Sequence, residues 1–418
     1  MNHPRFGDLS RLDAVKIPKV PFLSSQGYKS DDNILIHLTV TGRCYARCVG
    51  CVNVSVTMGS DGPRNSLEPF QEAEPRRDAA IIRLLASRHP AKTITVCFYG
   101  GEPFLAADKM VEVWEILKSS EESERFRFLV YTNGELLADA LKLYPEFMRD
   151  MWVYSVSIDG DKKQHNRVRQ GTDLARIIEN LRELSSFYSG NVLFWSTLRE
   201  QQSLLNCFEE FMRQFRSGLV NHFFWHWSEE REPMADFITF AEEYGKDLEE
   251  VMQVYTDRLS EGELLPIAHI NELILFILTA KERGHTACGV EVAENYDIVS
   301  GKISPCADLP PHFSAGDADE KGKYRLNEQD LKALVEYKTK LGCDSCGVHA
   351  YCGGRCPVQI IAGSWERALH YCQLMRLHVG IVLEKMEDIS SCLEKHGLSL
   401  QKVYDQSAFL AKYTDVVP

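Results

Sequence analysis

From residue 33 onward, two rhythms of apolar residues alternate along the chain. Six short runs are rich in β-branched and aromatic residues: NILIHLTV (33–40), TITVCFY (93–99), FRFLVY (126–131), WVYSVSI (152–158), NVLFWST (191–197) and LVNHFFW (219–225). Each reads as a strand. Between them, apolar residues recur at helical spacing. Leu174, Ile177, Ile178, Leu181 and Leu184 share one helix face, with Thr172 or Asp173 as a cap. Further helical patterns cover roughly 76–88, 105–118, 135–149 and 203–216. Strands alternating with helices predict a parallel sheet with helices outside. Near-continuous apolar strands predict burial on both faces. The fold class is α/β, closed as an open or partial (β/α)6 barrel.

The rest of the chain divides around this core. Residues 1–32 read as an N-terminal arm and 33–235 as the barrel. Residues 236–282 read as a helical bridge. Residues 283–375 are Gly- and Cys-rich with weak periodicity, and 376–418 as a C-terminal helix and tail. A segment that buries little apolar surface needs staples, and bound metal can supply them.

Composition excludes several classes. The net charge is −13 and no basic run exceeds EPRRD, which argues against a nucleic-acid partner. No apolar run approaches a membrane span, and the first residues have no apolar signal region. A cytoplasmic protein is expected. There are 13 cysteines, three in one early loop and seven between 288 and 372. In a reducing compartment such clusters read as metal sites rather than disulfides. Cys97, Cys207 and Cys392 sit inside predicted strands or helices and read as buried thiols.

The early loop, GRCYARCVGC, spaces Cys44, Cys48 and Cys51 as C-x3-C-x2-C just after the first strand. Three thiolates can hold three irons of a [4Fe–4S] cluster and leave the fourth open to a small molecule. A zinc site completed by a nearby His is the alternative. At the end of the second strand stands YGGEP: Tyr99, Gly100, Gly101, Glu102 and Pro103. Paired glycines let a ligand approach the backbone, and Glu102 can accept from a ligand ammonium. Alone, this segment is a tight turn.

Together the two motifs resemble the radical S-adenosylmethionine (radical SAM) enzymes over roughly residues 33–230. The resemblance implies that SAM binds the open iron through its methionine end and that the GGEP segment holds its amino group. Reductive cleavage would then release a 5′-deoxyadenosyl radical. YTNG (131–134), SIDG (157–160) and HNRVR (165–169) fall at the next strand ends. By resemblance, Ser157 lies near the ribose and Arg169 near the SAM carboxylate. Asn133 and Asp159 are polar neighbours of SAM or substrate. Gly50 stands where the family often has an aromatic residue beside adenine. That contact is therefore expected from Tyr45 or from a residue after strand five or six.

The later cysteines follow a second pattern. Cys288 and Cys306 are spaced C-x12-G-x4-C around Gly301. Cys343, Cys346, Cys352 and Cys356 follow as C-x2-C-x5-C-x3-C, and then Cys372. A zinc ribbon needs four ligands, not seven. The spacing resembles the SPASM domain, a C-terminal extension of some radical SAM enzymes. The resemblance implies two auxiliary [4Fe–4S] clusters, three clusters in all. It gives Cys343, Cys346, Cys352 and Cys372 to one auxiliary cluster and Cys288, Cys306 and Cys356 to the other. The second set lacks a cysteine, so an open iron, His285, Glu282 or Cys207 is expected to complete it.

SPASM enzymes mostly modify peptides and proteins. The expected function is maturation of a ribosomally made precursor peptide by a net two-electron oxidation that forms a thioether or C–C crosslink. Asp308, two residues past Cys306, is the candidate catalytic base. An external electron donor such as a flavodoxin or ferredoxin is implied. Alternatives are an anaerobic sulfatase-maturase-like enzyme, a small-molecule or redox-cofactor maturase, and a non-catalytic Fe–S electron carrier.

Overall fold

The computed structural model describes residues 2–3, 7–8, 27–52, 72–309, 313, 315–318, 324–326, 331–361 and 363–414. Most of the expected N-terminal arm lies outside the described residues. Six parallel strands form the barrel wall: β1 (Asn33–Thr41), β2 (Thr93–Gly100), β3 (Phe126–Thr132), β4 (Met151–Ser157), β5 (Asn191–Leu198) and β6 (His222–Trp227). They lie in sequence order, β6-β5-β4-β3-β2-β1. Every residue of β1 is buried, as a strand covered on both faces requires.

The helices outside follow the apolar periodicity. Helix Leu174–Ser185 buries Leu174, Ile177, Ile178, Leu181 and Leu184, and the Asp173 side chain caps it by accepting from Ala175 N. Ser203 caps Leu204–Arg216 in the same way. The pattern over 135–149 is two helices, Leu137–Leu143 and Pro145–Asp150. Pro145 disfavours helical backbone at Tyr144 and breaks the run there. The sixth strand starts at His222, not Leu219, because Leu219 N still bonds back to Gln214 O of the preceding helix.

Sequence periodicity missed the seventh strand. β7 (Asn295–Val299) pairs in parallel with β1, setting Asp297 opposite His37. It continues antiparallel into β8 (Lys302–Ser304), β9 (Gly316–Ala318) and β10 (Tyr324–Leu326). The Cys-rich region therefore extends the barrel sheet. Helices Phe237–Ser260 and Ala268–Thr279 lie between the two. Helix Trp365–Glu384 carries Cys372 and runs across the boundary expected at 375.

The barrel's inner face also has a base. Leu35, Cys97, Leu129, Val153, Leu193 and Phe224, one from each strand β1–β6, pack with Leu410 and Tyr413 of the segment Ala408–Thr414. Tyr131 Oη donates to Tyr413 O at 2.7 Å. The polar end of the barrel lies above this apolar layer.

Candidate active site

The cysteine loop leaves the end of β1 and is clamped on several sides. Arg47 and Cys48 pair antiparallel with Arg169 and Gln170, and Val49 N donates to Val168 O at 2.8 Å. Arg199 Nε donates to Val49 O. Gly50 has φ +56°, and a Cβ there would lie 2.7 Å from Glu230 Oε1. A side chain here would have to shift the Glu230 carboxylate and adopt a left-handed backbone, which favours glycine. Burial pushes the Cys44 thiol up to about 12.

The YGGEP turn packs closely against the cysteine loop. A Cβ on Gly101 would meet Arg43 O at 2.2 Å, and one on Gly100 would meet Thr41 O at 2.4 Å. The two glycines let the start of the cysteine loop close against β2, where Gly101 N donates to Thr41 O and Glu102 N to Arg43 O, each at 2.9 Å. Both glycines and Tyr99 also line the central cavity. Glu102 does not. Its buried carboxylate accepts from Thr132 Oγ1 (2.8 Å), Asn133 N (2.9 Å) and Phe104 N (3.2 Å), tying β2 to β3. Burial raises it to about 7 against the pull of these hydrogen bonds. Pro103 opens the short turn that Glu102 caps. Glu102, expected to accept from a ligand ammonium, is held by these three protein hydrogen bonds and is not among the cavity's lining residues.

Asp159 is not among the cavity's lining residues either. It is fully buried and accepts from Arg169 Nε at 2.7 Å, Arg199 Nη1 at 2.9 Å and Thr197 N at 2.9 Å. The two guanidiniums hold its carboxyl far below the usual range despite burial. One carboxylate thus fixes two arginines, and both arginines line the cavity. Ser157 and Asn133 line it too. Asn133 Oδ1 accepts from Tyr45 Oη at 2.9 Å, which turns Tyr45 to that bond. At the ends of strands five and six the cavity wall is Thr197, Arg199, His226 and Glu229.

The cavity, about 270 Å³, brings the two cysteine groups together. Cys44, Cys48 and Cys51 line it, and so do Cys288, Cys306 and Cys356. Cys343, Cys346, Cys352 and Cys372 line a separate, smaller pocket with Leu341, Val348 and Met375. The seven later cysteines therefore divide three and four. Cys207 lies behind β5 against Gln164 Nε2 at 3.3 Å, buried in the barrel core. His285 and Glu282 are not among the cavity's lining residues. Asp308 lines the cavity near Tyr99, whose phenol burial raises well above the ordinary range, with Asp308 adding to the rise. Among the described residues, no three His, Cys, Asp or Glu side chains converge as a single metal ion would require.

Residues 38–197 match the sequence profile of the Radical SAM superfamily. These residues are a radical SAM domain. The superfamily implies SAM and one [4Fe–4S] cluster, and the cysteine loop, glycine turn and paired arginines of this domain line one cavity. Among solved structures, anSMEcpe with bound AdoMet shares the fold at 16% identity and a TM-score of 0.61, over 85% of this chain and 99% of that one. The same protein with AdoMet and the Cp18Cys peptide matches equally well, at 16% identity and 0.61, over 85% and 98%. Streptococcus suis SuiB bound to precursor peptide SuiA matches at 15% identity and a TM-score of 0.47, over 79% and 73%. No curated protein matches the chain. No helix among the described residues is long and apolar enough to cross a membrane.

Sequence reasoning missed several residues of the radical SAM cavity. Arg199 lies one position beyond β5 and has no motif. Its signal is only its place at a strand end. His37 is the one imidazole in β1, a visible oddity in a fully buried strand. Its Nδ1 lies 3.0 Å from both Asn295 Oδ1 and Asp297 Oδ1. Asp297, 6% exposed, also accepts from Ala307 N. Its presence in the cavity depends on the β7–β1 pairing, which the sequence pattern did not reveal.

Proposed function

We propose that this protein is a radical SAM oxidoreductase of the SPASM type that modifies a peptide or protein substrate by net two-electron oxidation, with an intramolecular crosslink in a ribosomally made precursor as the favoured product. The carrying observation is that one cavity is lined by both cysteine triads, Cys44/Cys48/Cys51 and Cys288/Cys306/Cys356. A cluster holds its thiolates farther apart than a single ion does, and triads spaced around a cavity suit the larger group. When bound, SAM and the reduced cluster supply a 5′-deoxyadenosyl radical that removes a hydrogen atom from an unactivated C–H bond.

The chain's own residues position and discharge this chemistry. The Gly100–Gly101 backbone borders the cysteine loop and receives the SAM amino group. Arg169, held by Asp159 and supported by Arg199, takes the carboxylate, and two guanidiniums around one carboxylate leave a net positive charge for it. Ser157 faces the ribose. Asn133 offers a polar contact, since its Nδ2 has no hydrogen-bond partner among the described residues. Asp308, and Asp297 beside His37, are the carboxylates on the Cys306 side that can take the substrate proton. The four cysteines of the smaller pocket would hold a second auxiliary cluster, and a flavodoxin or ferredoxin would supply the first electron.

The test is mass spectrometry on short peptides encoded beside the gene, each co-expressed anaerobically with the enzyme. A loss of two hydrogens, abolished by Cys51→Ala, is expected. Unchanged peptides alongside active SAM cleavage would sink the local-peptide reading. Loss of sulfur from a cysteine would place the enzyme with the sulfatase maturases instead.

A further inference from the structure

The wall between the two cysteine-lined spaces holds a buried ion pair. Arg355 Nη2 lies 3.0 Å from Glu229 Oε1, and the two residues are 3% and 4% exposed. Glu229 follows β6 and lines the reaction cavity together with Cys356. Arg355 lines the smaller pocket with its four cysteines. The pair is thus oriented, with its negative end toward the cavity and its positive end toward the four-cysteine site. The electrostatics agree. The Arg355 charge acts on Cys352 and Cys372, while at Cys356 the Glu229 charge outweighs that of Arg355.

Stability is a weak account of this pair. Burying two charges costs desolvation that their attraction often only balances, and apolar residues of similar volume would tether the two regions as well. The Arg355 guanidinium already lies 4.8 Å from the Tyr371 ring centroid and 5.7 Å from that of Trp227, surroundings that would suit an apolar side chain. What apolar residues could not supply is a fixed field. A cluster's reduction potential responds to nearby charge, and in a dry interior that response is strong. Positive charge favours the reduced, more negative form.

We propose that the Glu229–Arg355 pair is a redox-positioning dipole that makes the four-cysteine site easier to reduce than the Cys288/Cys306/Cys356 site. An electron delivered to the cavity side then moves outward. The three-cysteine site is oxidised by one electron and the four-cysteine site reduced by one, with no bond or proton moving. This rests on the reading that both cysteine groups hold iron–sulfur clusters.

The experiment is a redox titration followed by electron paramagnetic resonance on the full-length, cluster-loaded protein, with iron and sulfide counted in every sample. Arg355→Gln is expected to lower the midpoint of the four-cysteine site by about tenfold in its reduction equilibrium, ~59 mV for one electron. Arg355→Lys keeps a cation and should retain most of the wild-type value. Glu229→Gln should raise the midpoint on the cavity side. Wild-type iron content with unmoved midpoints in Arg355→Gln overturns the proposal. If that variant loses iron, an unmoved cavity-side midpoint in Glu229→Gln overturns it. Wild-type protein with iron for one cluster only would overturn the underlying reading instead, and the iron count tells the two failures apart.

Discussion

The two later cysteine sites lean on different supports. The four-cysteine pocket is backed by the main core. Val348, Tyr351 and Cys352 join it, together with Tyr371, Leu374 and Met375 of helix Trp365–Glu384. Among the described residues, the three-cysteine site rests on a separate core whose buried members are Val290, Leu309, Leu334 and Val358. Cys288, Cys306 and Cys356 pack against that small core directly. Among the described residues, the three-cysteine side of the cavity therefore draws less on the barrel's main core than the four-cysteine pocket does.

Iron removal should therefore produce the largest effect. Where metal–thiolate bonds hold a small fold, binding supplies on the order of 10 kcal/mol of folding free energy. In iron-free protein, hydrogen exchange over 286–309 should approach that of an unfolded chain. β1 and β2 should stay protected, and residues 348–352 should fall between. Equal loss at both cysteine sites would break the comparison. Next in size is Asp159→Asn. It leaves Arg169 and Arg199 buried without their shared carboxylate, at a cost of about 3–5 kcal/mol. Urea denaturation of the iron-free protein would show it as a barrel effect that spares the Cys-rich region. A smaller loss would mean that water or Thr197 replaces the carboxylate.

How much of this was legible in the sequence also differs between the two regions. The barrel strands follow from apolar runs, and the caps at Asp173 and Ser203 follow from residue type. In the Cys-rich region the family resemblance divided the cysteines four and three, but the sequence pattern did not give the elements. NYDIV, the β7 run, is five residues long and carries two polar residues on its inward face. It is a strand because β1 is already there to pair with it. Side-chain direction was equally illegible. SIDG reads the same whether Asp159 faces the cavity or two arginines, and GGEP the same whether Glu102 meets a ligand or β3. Those choices depend on which cation or backbone amide reaches the carboxylate first in three dimensions.

The cavity's own carboxylates sharpen the comparison further. Asp308 lies in the loop held by the small core, whereas Asp297 lies on β7, paired to the barrel. If Asp308 takes the substrate proton, Asp308→Asn should cut modified product about a hundredfold while deoxyadenosine formation continues. If Asp297→Asn gives that uncoupling instead, the base belongs to the barrel and not to the Cys306 loop. Product and deoxyadenosine quantified in one anaerobic assay separate the two.

The smallest effect concerns the seam where β7 enters the barrel. Glu294 accepts from Lys92 Nζ at 2.9 Å and Lys412 Nζ at 2.8 Å, joining the start of β2, the approach to β7 and the segment at the barrel's base. Burial alone would raise its carboxyl, but the two ammonium groups lower it to about 2. A carboxylate depressed in the folded state stabilises the protein above its unfolded value of about 4.3, and that contribution fades as pH falls toward 2. The group is only half-buried, so the pair of contacts should contribute no more than about 1 kcal/mol. Glu294→Gln should lower the urea midpoint slightly at pH 7 and flatten its pH dependence below about 4.3. An unchanged slope there would mean that the two lysines find other partners, and that the seam is held by the β7–β1 hydrogen bonds alone.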